Sequence, residues 1–247
     1  MKLKADIKLK TALTALAAVL LTTGSAIAAP TTDLLVTHYS FDRAPAADGT
    51  IAEQSGRGLP LRVRSADGGT VSYVPRGTGR ALDLPARCVA TAATCPRVVL
   101  EAGDDADLDP GARAFRFGAW IRSTPAEAGP SANVMQKGVA TAESQWKLQV
   151  GGRRGRATCV VVGQGSTTAY IAKSSNSVTD GAWHQITCRR TGTTLTIFVD
   201  QVARGSVTLP AGLTISNAMP LRLGGQNLSD RTDHFGGALD EPFVVLM

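Results

Sequence analysis

Short apolar runs that alternate with polar residues recur along this chain, and Gly and Asp turns separate them. The clearest runs are Leu34 to Phe41, Phe115 to Arg122, Ala157 to Val162, His184 to Arg189 and Leu195 to Asp200. Successive side chains of a strand point to opposite faces, so this period of two is typical of strands with one buried face. The pattern leaves almost no room for helix. It predicts an all-β fold in which two antiparallel sheets pack into a sandwich.

The run from Phe115 to Arg122 shows the two faces of such a strand most clearly. One face carries Phe115, Phe117, Ala119 and Ile121, and the other carries Arg116, Gly118, Trp120 and Arg122. The first set is a core stripe. The polar neighbours of Trp120 indicate that its ring lies on an outer face of the sandwich. The alternative is that Trp120 packs under a loop as part of the scaffold, because large aromatic side chains are usually mostly buried.

The order of motifs near the C-terminus resembles the closing half of a known fold. The motifs are Asp180-Gly181-Ala182-Trp183-His184, Leu195-Thr196-Ile197-Phe198-Val199-Asp200, Leu221-Arg222-Leu223-Gly224-Gly225 and Phe235-Gly236-Gly237-Ala238-Leu239-Asp240-Glu241. They are similar to the laminin G-like, concanavalin A-like lectin/glucanase family. Earlier pieces, including His38 to Asp42 and Gly79 to Leu84, extend the resemblance over about residues 34 to 246. The resemblance implies a two-sheet antiparallel jelly-roll β-sandwich, in which an outer sheet face often takes a glycan.

Three positions depart from the family pattern. Gln54 stands where the family usually carries Asp. Gln201 follows Asp200 where a Gly normally accepts positive φ, which predicts a different turn type or local strain. Pro242 replaces an apolar strand residue and cannot donate a ladder hydrogen bond, so we expect an edge position or a bulge in the last strand.

Residues 1 to 28 read as a secretory signal peptide. Four Lys at positions 2, 4, 8 and 10 precede an apolar stretch from Thr11 to Thr23, and Ala26-Ile27-Ala28 supplies small residues at the cleavage positions. The apolar stretch is shorter than the ~20 residues of a spanning helix. We therefore expect cleavage before Ala29, a secreted protein and no membrane span after cleavage.

Length and charge limit the function classes. Residues 29 to 247 suffice for one laminin G-like jelly-roll domain, and the chain shows no linker or fixed repeat. The whole chain carries 26 basic and 20 acidic residues, and without the leader 22 and 19 remain, a net charge of +3. This small excess is not the electrostatic footprint of a nucleic-acid-binding protein.

Four cysteines, Cys88, Cys95, Cys159 and Cys188, are an even number that fits an oxidising compartment. Three pairings are possible. Cys88 and Cys95 flank a short loop, and Cys159 and Cys188 each lie in a strand-like run, so we predict bridges 88–95 and 159–188. We expect the second pair to be neighbours in one sheet. The spacings do not fit a zinc site.

A catalytic role finds little support in the sequence. Glycoside hydrolysis needs two positioned carboxyl groups, and the resemblance implies a Glu-x-Asp-x-x-Glu strand in catalytic members of the clan, which is absent here. The acidic loop, Glu101, Asp104, Asp105, Asp107 and Asp109, contains Gly and Pro and is expected to be too flexible for catalysis. Asp240 and Glu241 are adjacent and are expected to point to opposite faces.

Carbohydrate binding is the leading functional hypothesis. Aromatic rings that stack on sugar C–H surfaces, with polar groups around them, are the chemistry of such sites. Trp120, Trp146 and Tyr170 are the aromatic candidates, and each has polar neighbours. The loop from Gly225 to Gly236 adds Gln226, Asn227 and Asp230 as candidate hydrogen-bonding residues, because rim loops often carry recognition.

One structural Ca²⁺ is a further expectation. The resemblance implies that a carboxylate of the "lDE" motif can hold calcium near the end of the first strand. Asp240, with Asp42 as a helper, would fill that role here. The alternative is that Asp240 accepts hydrogen bonds from backbone N–H groups at the edge of the sandwich.

The sequence thus predicts a secreted, non-catalytic module that binds a glycan or another extracellular surface ligand. The alternative is an adhesion module that recognises a protein partner through its rim loops. A divergent polysaccharide hydrolase or lyase is a third, less favoured reading.

Overall fold

A computed structural model describes residues 32–88, 91–141, 143–229 and 231–247. The predicted leader and its cleavage before Ala29 lie outside these residues and stay a prediction. Within the described residues, no helix is long and apolar enough to cross a bilayer.

The described residues form sixteen strands and two short helical segments. The strands are β1 (Leu34–His38), β2 (Thr50–Ile51), β3 (Leu61–Ala66), β4 (Ser72–Arg76), β5 (Gly79–Leu84), β6 (Arg97–Ala102), β7 (Phe115–Arg122), β8 (Ala132–Gly138), β9 (Gln145–Gly151), β10 (Arg156–Val162), β11 (Ala169–Ser177), β12 (Trp183–Thr191), β13 (Thr194–Val199), β14 (Val202–Thr208), β15 (Leu221–Leu223) and β16 (Gly237–Leu246). A 3₁₀ turn covers Ala106–Leu108, and helix α1 covers Pro125–Ala128. The predicted predominance of strands is confirmed.

The strands pair antiparallel in two eight-stranded sheets. Sheet I has the order β14-β13-β12-β7-β16-β5-β4, and β1 pairs with the C-terminal part of β16. Sheet II has the order β11-β10-β9-β8-β15-β6-β3-β2. This is the predicted jelly-roll sandwich, with the first and last strands side by side.

The core lies between the two sheets and follows the alternation of the sequence. On β7 the residues Phe115, Phe117, Ala119 and Ile121 are all buried, as predicted, and β9 opposes them with buried Trp146, Leu148 and Val150. The Phe117 ring lies 4.6 Å from the Trp146 ring, centroid to centroid. Burial of these apolar faces is the main favourable contribution to folding, at about 25 cal/mol per Å².

Both predicted disulfides are present, Cys88–Cys95 and Cys159–Cys188. The expectation that Cys159 and Cys188 are neighbours in one sheet is wrong, because β10 belongs to sheet II and β12 to sheet I. Both side chains are fully buried and point into the core. The second bridge therefore joins the two sheets through the core.

The acidic loop makes ion pairs with the rest of the chain, and its expected flexibility stays a prediction. The Lys137 side chain at the end of β8 is fully buried, and its ammonium lies 2.8 Å from a carboxylate oxygen of Asp104 and 2.8 Å from one of Asp109. Arg57 holds Asp107 from outside at 2.5 Å. Because these acids are paired with cations of the chain itself, they tie the loop to the end of the sandwich.

Candidate functional site

A groove of about 850 Å³ crosses the outer face of sheet I. We call it the sheet I groove, and its lining combines two aromatic rings, charged and amide groups, and an apolar edge. The lining residues are Leu35, His38, Arg76, Arg116, Trp120, Gln185, Thr187, Gln201, Glu241, Phe243 and Val245. They come from five strands and one turn that are distant in sequence, and the sheet brings them together.

Trp120 lies in the centre of this groove, as the alternation along β7 requires. It faces Gln185 of β12 on one side and Asp240 of β16 on the other. Two positions earlier on the same face stands Gly118, where a Cβ would lie 2.1 Å from the carbonyl oxygen of Ile186. Only glycine fits this close approach. The missing side chain leaves the floor open between Trp120 and Arg116.

Arg76 and two tryptophans form a stack beside the groove. The Arg76 guanidinium carbon lies 4.5 Å from the Trp120 ring centroid and 5.2 Å from that of Trp183. Arg122 lies 5.4 Å from the Trp183 ring. Each such cation–π contact contributes about 0.5–1 kcal/mol at exposed sites and more where water is excluded. The stack therefore holds the Trp120 ring in one orientation.

Asp240 holds the Arg76 member of this stack in place. Its carboxylate is almost completely buried, with 5% of the side chain exposed, and accepts a hydrogen bond from Arg76 at 2.6 Å. The other carboxylate oxygen accepts from the backbone N–H of Glu241 at 2.9 Å. Burial raises the pKa of Asp240, and the Arg76 guanidinium offsets that effect only in part.

A β-bulge brings Glu241 into the groove as well. The pairing of β16 with β7 shifts between Asp240 and Phe243, and Glu241 adopts a left-handed φ of 50°. Its carboxylate contacts the imidazole of His38 on the neighbouring strand. The expectation that Asp240 and Glu241 point to opposite faces is therefore wrong. The expectation that Pro242 marks a bulge or an edge is confirmed as a bulge inside the sheet.

The turn between β13 and β14 places Gln201 at the groove. Asp200 and Gln201 both have positive φ, 52° and 67°, although neither is glycine. Asp200 is held by its side chain, which accepts from the backbone N–H of Gln185 at 2.9 Å and hydrogen-bonds His184 at 2.8 Å. Of the four non-glycine residues with positive φ in the described part, two, Gln201 and Glu241, line this groove. Strain retained at such positions is typical of functional sites.

We expect Gln201→Gly to stabilise the protein by about 1 kcal/mol, because glycine removes the cost of a left-handed backbone. Urea titration measures this change. Gln201→Ala is the matched control, since it removes the same side chain but keeps the strained backbone and should bring no gain. Equal stability of the two variants would contradict the assignment of strain to this turn.

Two of the three predicted aromatic ligand residues lie elsewhere. Trp146 is fully buried between the sheets, and its indole N–H donates to the carbonyl oxygen of Leu108 at 3.0 Å. Its prediction as a ligand residue is wrong, because its face of β9 is the inward one. Tyr170 lies on β11, the outermost strand of sheet II, and packs partly against the core. Of the three, only Trp120 lies in the sheet I groove.

The loop that follows β15 is also remote from the groove. Gln226 and Asn227 are half-buried there, and the neighbouring carbonyl of Leu228 accepts from the Arg97 side chain of β6 at 2.9 Å. The loop therefore lies against sheet II. Asp230 lies outside the described residues. A role for this loop in ligand binding stays a prediction.

The two residues predicted to hold calcium both have partners within the chain. Asp42 accepts hydrogen bonds from the Ser40 hydroxyl at 2.6 Å and from the Arg80 backbone N–H at 2.9 Å, which together lower its pKa. Asp240 is already paired with the Arg76 cation. Among the described residues, no group of three or more acidic, His or Cys side chains could hold a metal. Calcium binding by Asp240 with Asp42 stays a prediction.

Sequence reasoning missed several residues of the site. Trp183 is paired directly with Arg122 in the register of β12 and β7, so it shares the outer face that the alternation predicted for Trp120. The alternation along β12 alone carries this signal, because the buried Ile186 and Cys188 lie on the face opposite Trp183. Arg76 carries no such signal, because it reaches the stack from β4 at the far edge of sheet I. Glu241 and His38 meet only because of the bulge.

Comparison with known sequences gives one family. The sequence profile of a family described as the concanavalin A-like lectin/glucanases superfamily matches residues 100–244, more than half of the chain. No curated protein matches the chain in a sequence search.

Solved structures share the fold at low sequence identity. Domain 4 of AbnA, a GH43 extracellular arabinanase from Geobacillus stearothermophilus, in complex with arabinotriose, matches with a TM-score of 0.63 at 17% identity, over 87% of this chain and 93% of that domain. The binding domain of botulinum neurotoxin DC in complex with SialylT gives a TM-score of 0.59 at 10% identity, over 85% of this chain and 47% of that one. The chain thus spans about half the length of the neurotoxin domain. At these identities the likeness shows the fold.

Proposed function

The chain belongs to the concanavalin A-like lectin/glucanase superfamily, and we propose that it is a non-catalytic module that binds carbohydrate in the sheet I groove. The observation that carries the proposal is the half-buried Trp120 ring in an open groove with Gln185, Thr187 and Gln201 around it. An aromatic face that meets sugar C–H groups, with amides and hydroxyls for the sugar hydroxyls, is the chemistry of glycan recognition.

The similar structures support this proposal without fixing a ligand. The arabinanase domain was solved with arabinotriose, and the neurotoxin binding domain with SialylT. Both are sandwich domains similar in fold to this chain. The predicted leader and the two disulfides support secretion, because disulfides persist in oxidising compartments.

The proposal excludes catalysis because of the way the groove carboxylates are engaged. A general acid must reach the glycosidic oxygen with a free proton. Burial favours the protonated form of Asp240, which a general acid requires. However, only 5% of its side chain is exposed, and its two oxygens accept hydrogen bonds from Arg76 and from the backbone N–H of Glu241, so the carboxyl group is not available to a bound sugar. Glu241 is engaged with His38. We therefore expect no release of reducing sugar from any glycan that binds.

We expect Trp120→Ala to weaken glycan binding roughly tenfold or more, because one stacked aromatic contact contributes about 1.5 kcal/mol. A glycan array selects the ligand, and isothermal titration calorimetry measures the dissociation constant. Trp120→Phe should restore part of the affinity, since it keeps a ring on the same face.

Tyr170→Ala is the control for this experiment, because it removes an aromatic side chain from sheet II and should leave the affinity unchanged. Urea titration of each variant separates lost binding from lost folding. An unchanged affinity in a folded Trp120→Ala variant, or no binding of any glycan to the unmodified protein, would overturn the proposal.

A further inference from the structure

We propose that the sheet I groove selects an anionic oligosaccharide, with a sugar ring on Trp120 and a carboxylate or sulfate group held by Arg116 of the groove lining and by Arg189, which stands opposite Arg116 just outside that lining. This inference rests on the proposed carbohydrate function and deepens it.

Arg116 of β7 and Arg189 of β12 are directly opposite in the strand register. Directly opposed residues of antiparallel strands share a face, so both guanidinium groups stand on the outer face of sheet I. Like charges in this arrangement lower stability. A pair of this kind is explained when an anion bridges the two groups, since guanidinium binds carboxylate and sulfate oxygens with charge-assisted hydrogen bonds.

The two arginines are poorly compensated within the chain. Arg116 makes one ion pair, with Asp33 at 3.3 Å, in which both side chains are largely exposed. Exposed pairs of this kind contribute little. Arg189 has no ion pair within the part of the chain that the structure describes, and its guanidinium lies 4.6 Å from the Phe198 ring centroid. The ring fixes the position of the cation without neutralising it.

The other charged groups of the groove have close partners within the chain. Arg76 is paired with Asp240, and the Glu241 carboxylate contacts the His38 imidazole. The most weakly compensated positive charge of the groove therefore lies at its Arg116 end. A neutral glycan would leave this positive charge without a counter-charge, whereas an anionic glycan would supply one.

The distance along β7 sets the size of the ligand. Arg116 and Trp120 are four residues apart, which corresponds to about 13 Å between their Cα atoms. Gly118 lies between them and offers no side chain to block the floor. A ligand that reaches both groups is longer than a single sugar, so we expect an oligosaccharide to bind more tightly than its monosaccharide.

Isothermal titration calorimetry with three probes tests the inference: an oligogalacturonate, a heparin-derived oligosaccharide and a neutral arabino-oligosaccharide. We expect one of the charged probes to bind at least about tenfold more tightly than the neutral one, with an affinity that falls as salt concentration rises. The charged probe that binds more tightly distinguishes a carboxylated ligand from a sulfated one.

The variants Arg116→Gln and Arg189→Gln should each raise the dissociation constant for the charged probe about tenfold and that for the neutral probe by a much smaller factor. Arg154→Gln, on the exposed turn after β9, makes the same charge change away from the groove and should have no effect. Arg189→Gln should not lower the melting temperature, because it removes a like-charge pair. A purely structural arginine would lower it.

The outcomes separate the two proposals. Equal binding of charged and neutral probes, or arginine variants that weaken both alike, overturns the anionic ligand and leaves carbohydrate binding intact. Absence of binding to all three probes and to a wider glycan array overturns carbohydrate binding, and the anionic ligand with it.

Discussion

Replacing Trp146 with alanine should destabilise the protein by about 4 kcal/mol, the largest effect we expect from a single substitution. The side chain is fully buried, its ring lies 4.6 Å from that of Phe117 and 6.3 Å from that of Phe115, and its N–H donates to the Leu108 carbonyl. Alanine would leave a cavity between the sheets and a buried carbonyl without a donor. Each of these changes is costly.

Trp146→Phe separates the two contributions, because it keeps most of the ring and loses the hydrogen bond to Leu108. We expect it to cost about 1–2 kcal/mol. Urea unfolding measures both variants. Calorimetry on the folded phenylalanine variant should give an unchanged glycan affinity. A well-folded Trp146→Ala protein that has lost glycan binding would contradict the core assignment.

The same alternation that predicted the fold contained the correct position of Trp146. Trp146, Leu148 and Val150 alternate with Lys147 and Gln149, so the tryptophan belongs to the apolar face of its strand. The prediction as a ligand residue weighed its immediate polar neighbours in sequence, which lie on the other face. For Trp120 the companions at two-residue spacing are Gly118 and Arg122, and that prediction of an outer face is confirmed.

Strand order and the disulfides show where prediction from sequence stops. The Cys88–Cys95 and Cys159–Cys188 bridges were predicted from loop length and from position in strand-like runs. Which sheet each strand joins is a long-range property, and the connection of the two sheets through Cys159 and Cys188 followed only from the structure. Parity within one strand indicates which residues share a face. It does not indicate which strands are neighbours.

The groove depends on one long-range contact and two local distortions that the alternation of apolar and polar residues does not reveal. Arg76 reaches Asp240 and Trp120 from the far edge of sheet I, the bulge at Glu241 reverses the expected direction of its side chain, and the turn at Gln201 accepts a strained backbone. Gln201 and Pro242 were visible as departures from the family pattern. Both departures occur at the groove, which is where local rules are expected to fail in favour of function.

The substitution with the second largest expected effect on stability is Asp109→Ala, at about 3 kcal/mol. Lys137 is fully buried, and this change removes one of its two carboxylate partners. The ammonium keeps the backbone carbonyl of Asn217 and Asp104, whose side chain is 43% exposed. Removing one member of a buried ion pair costs about 3–5 kcal/mol, and the remaining partner places this case at the lower end.

The double variant Lys137→Met/Asp109→Ala should recover part of the lost stability, because it removes the under-compensated buried charge and fills the space with an apolar side chain. Asp107→Ala is the matched control. It removes an acid of the same loop whose partner, Arg57, is 30% exposed, so it should cost less than about 1 kcal/mol. Urea titrations of the four proteins decide the matter. If Asp109→Ala and Asp107→Ala cost the same, or if the Lys137→Met change gives no recovery, the buried ammonium does not hold the loop in place. The acidic loop would then be as free as its Gly and Pro content first indicated.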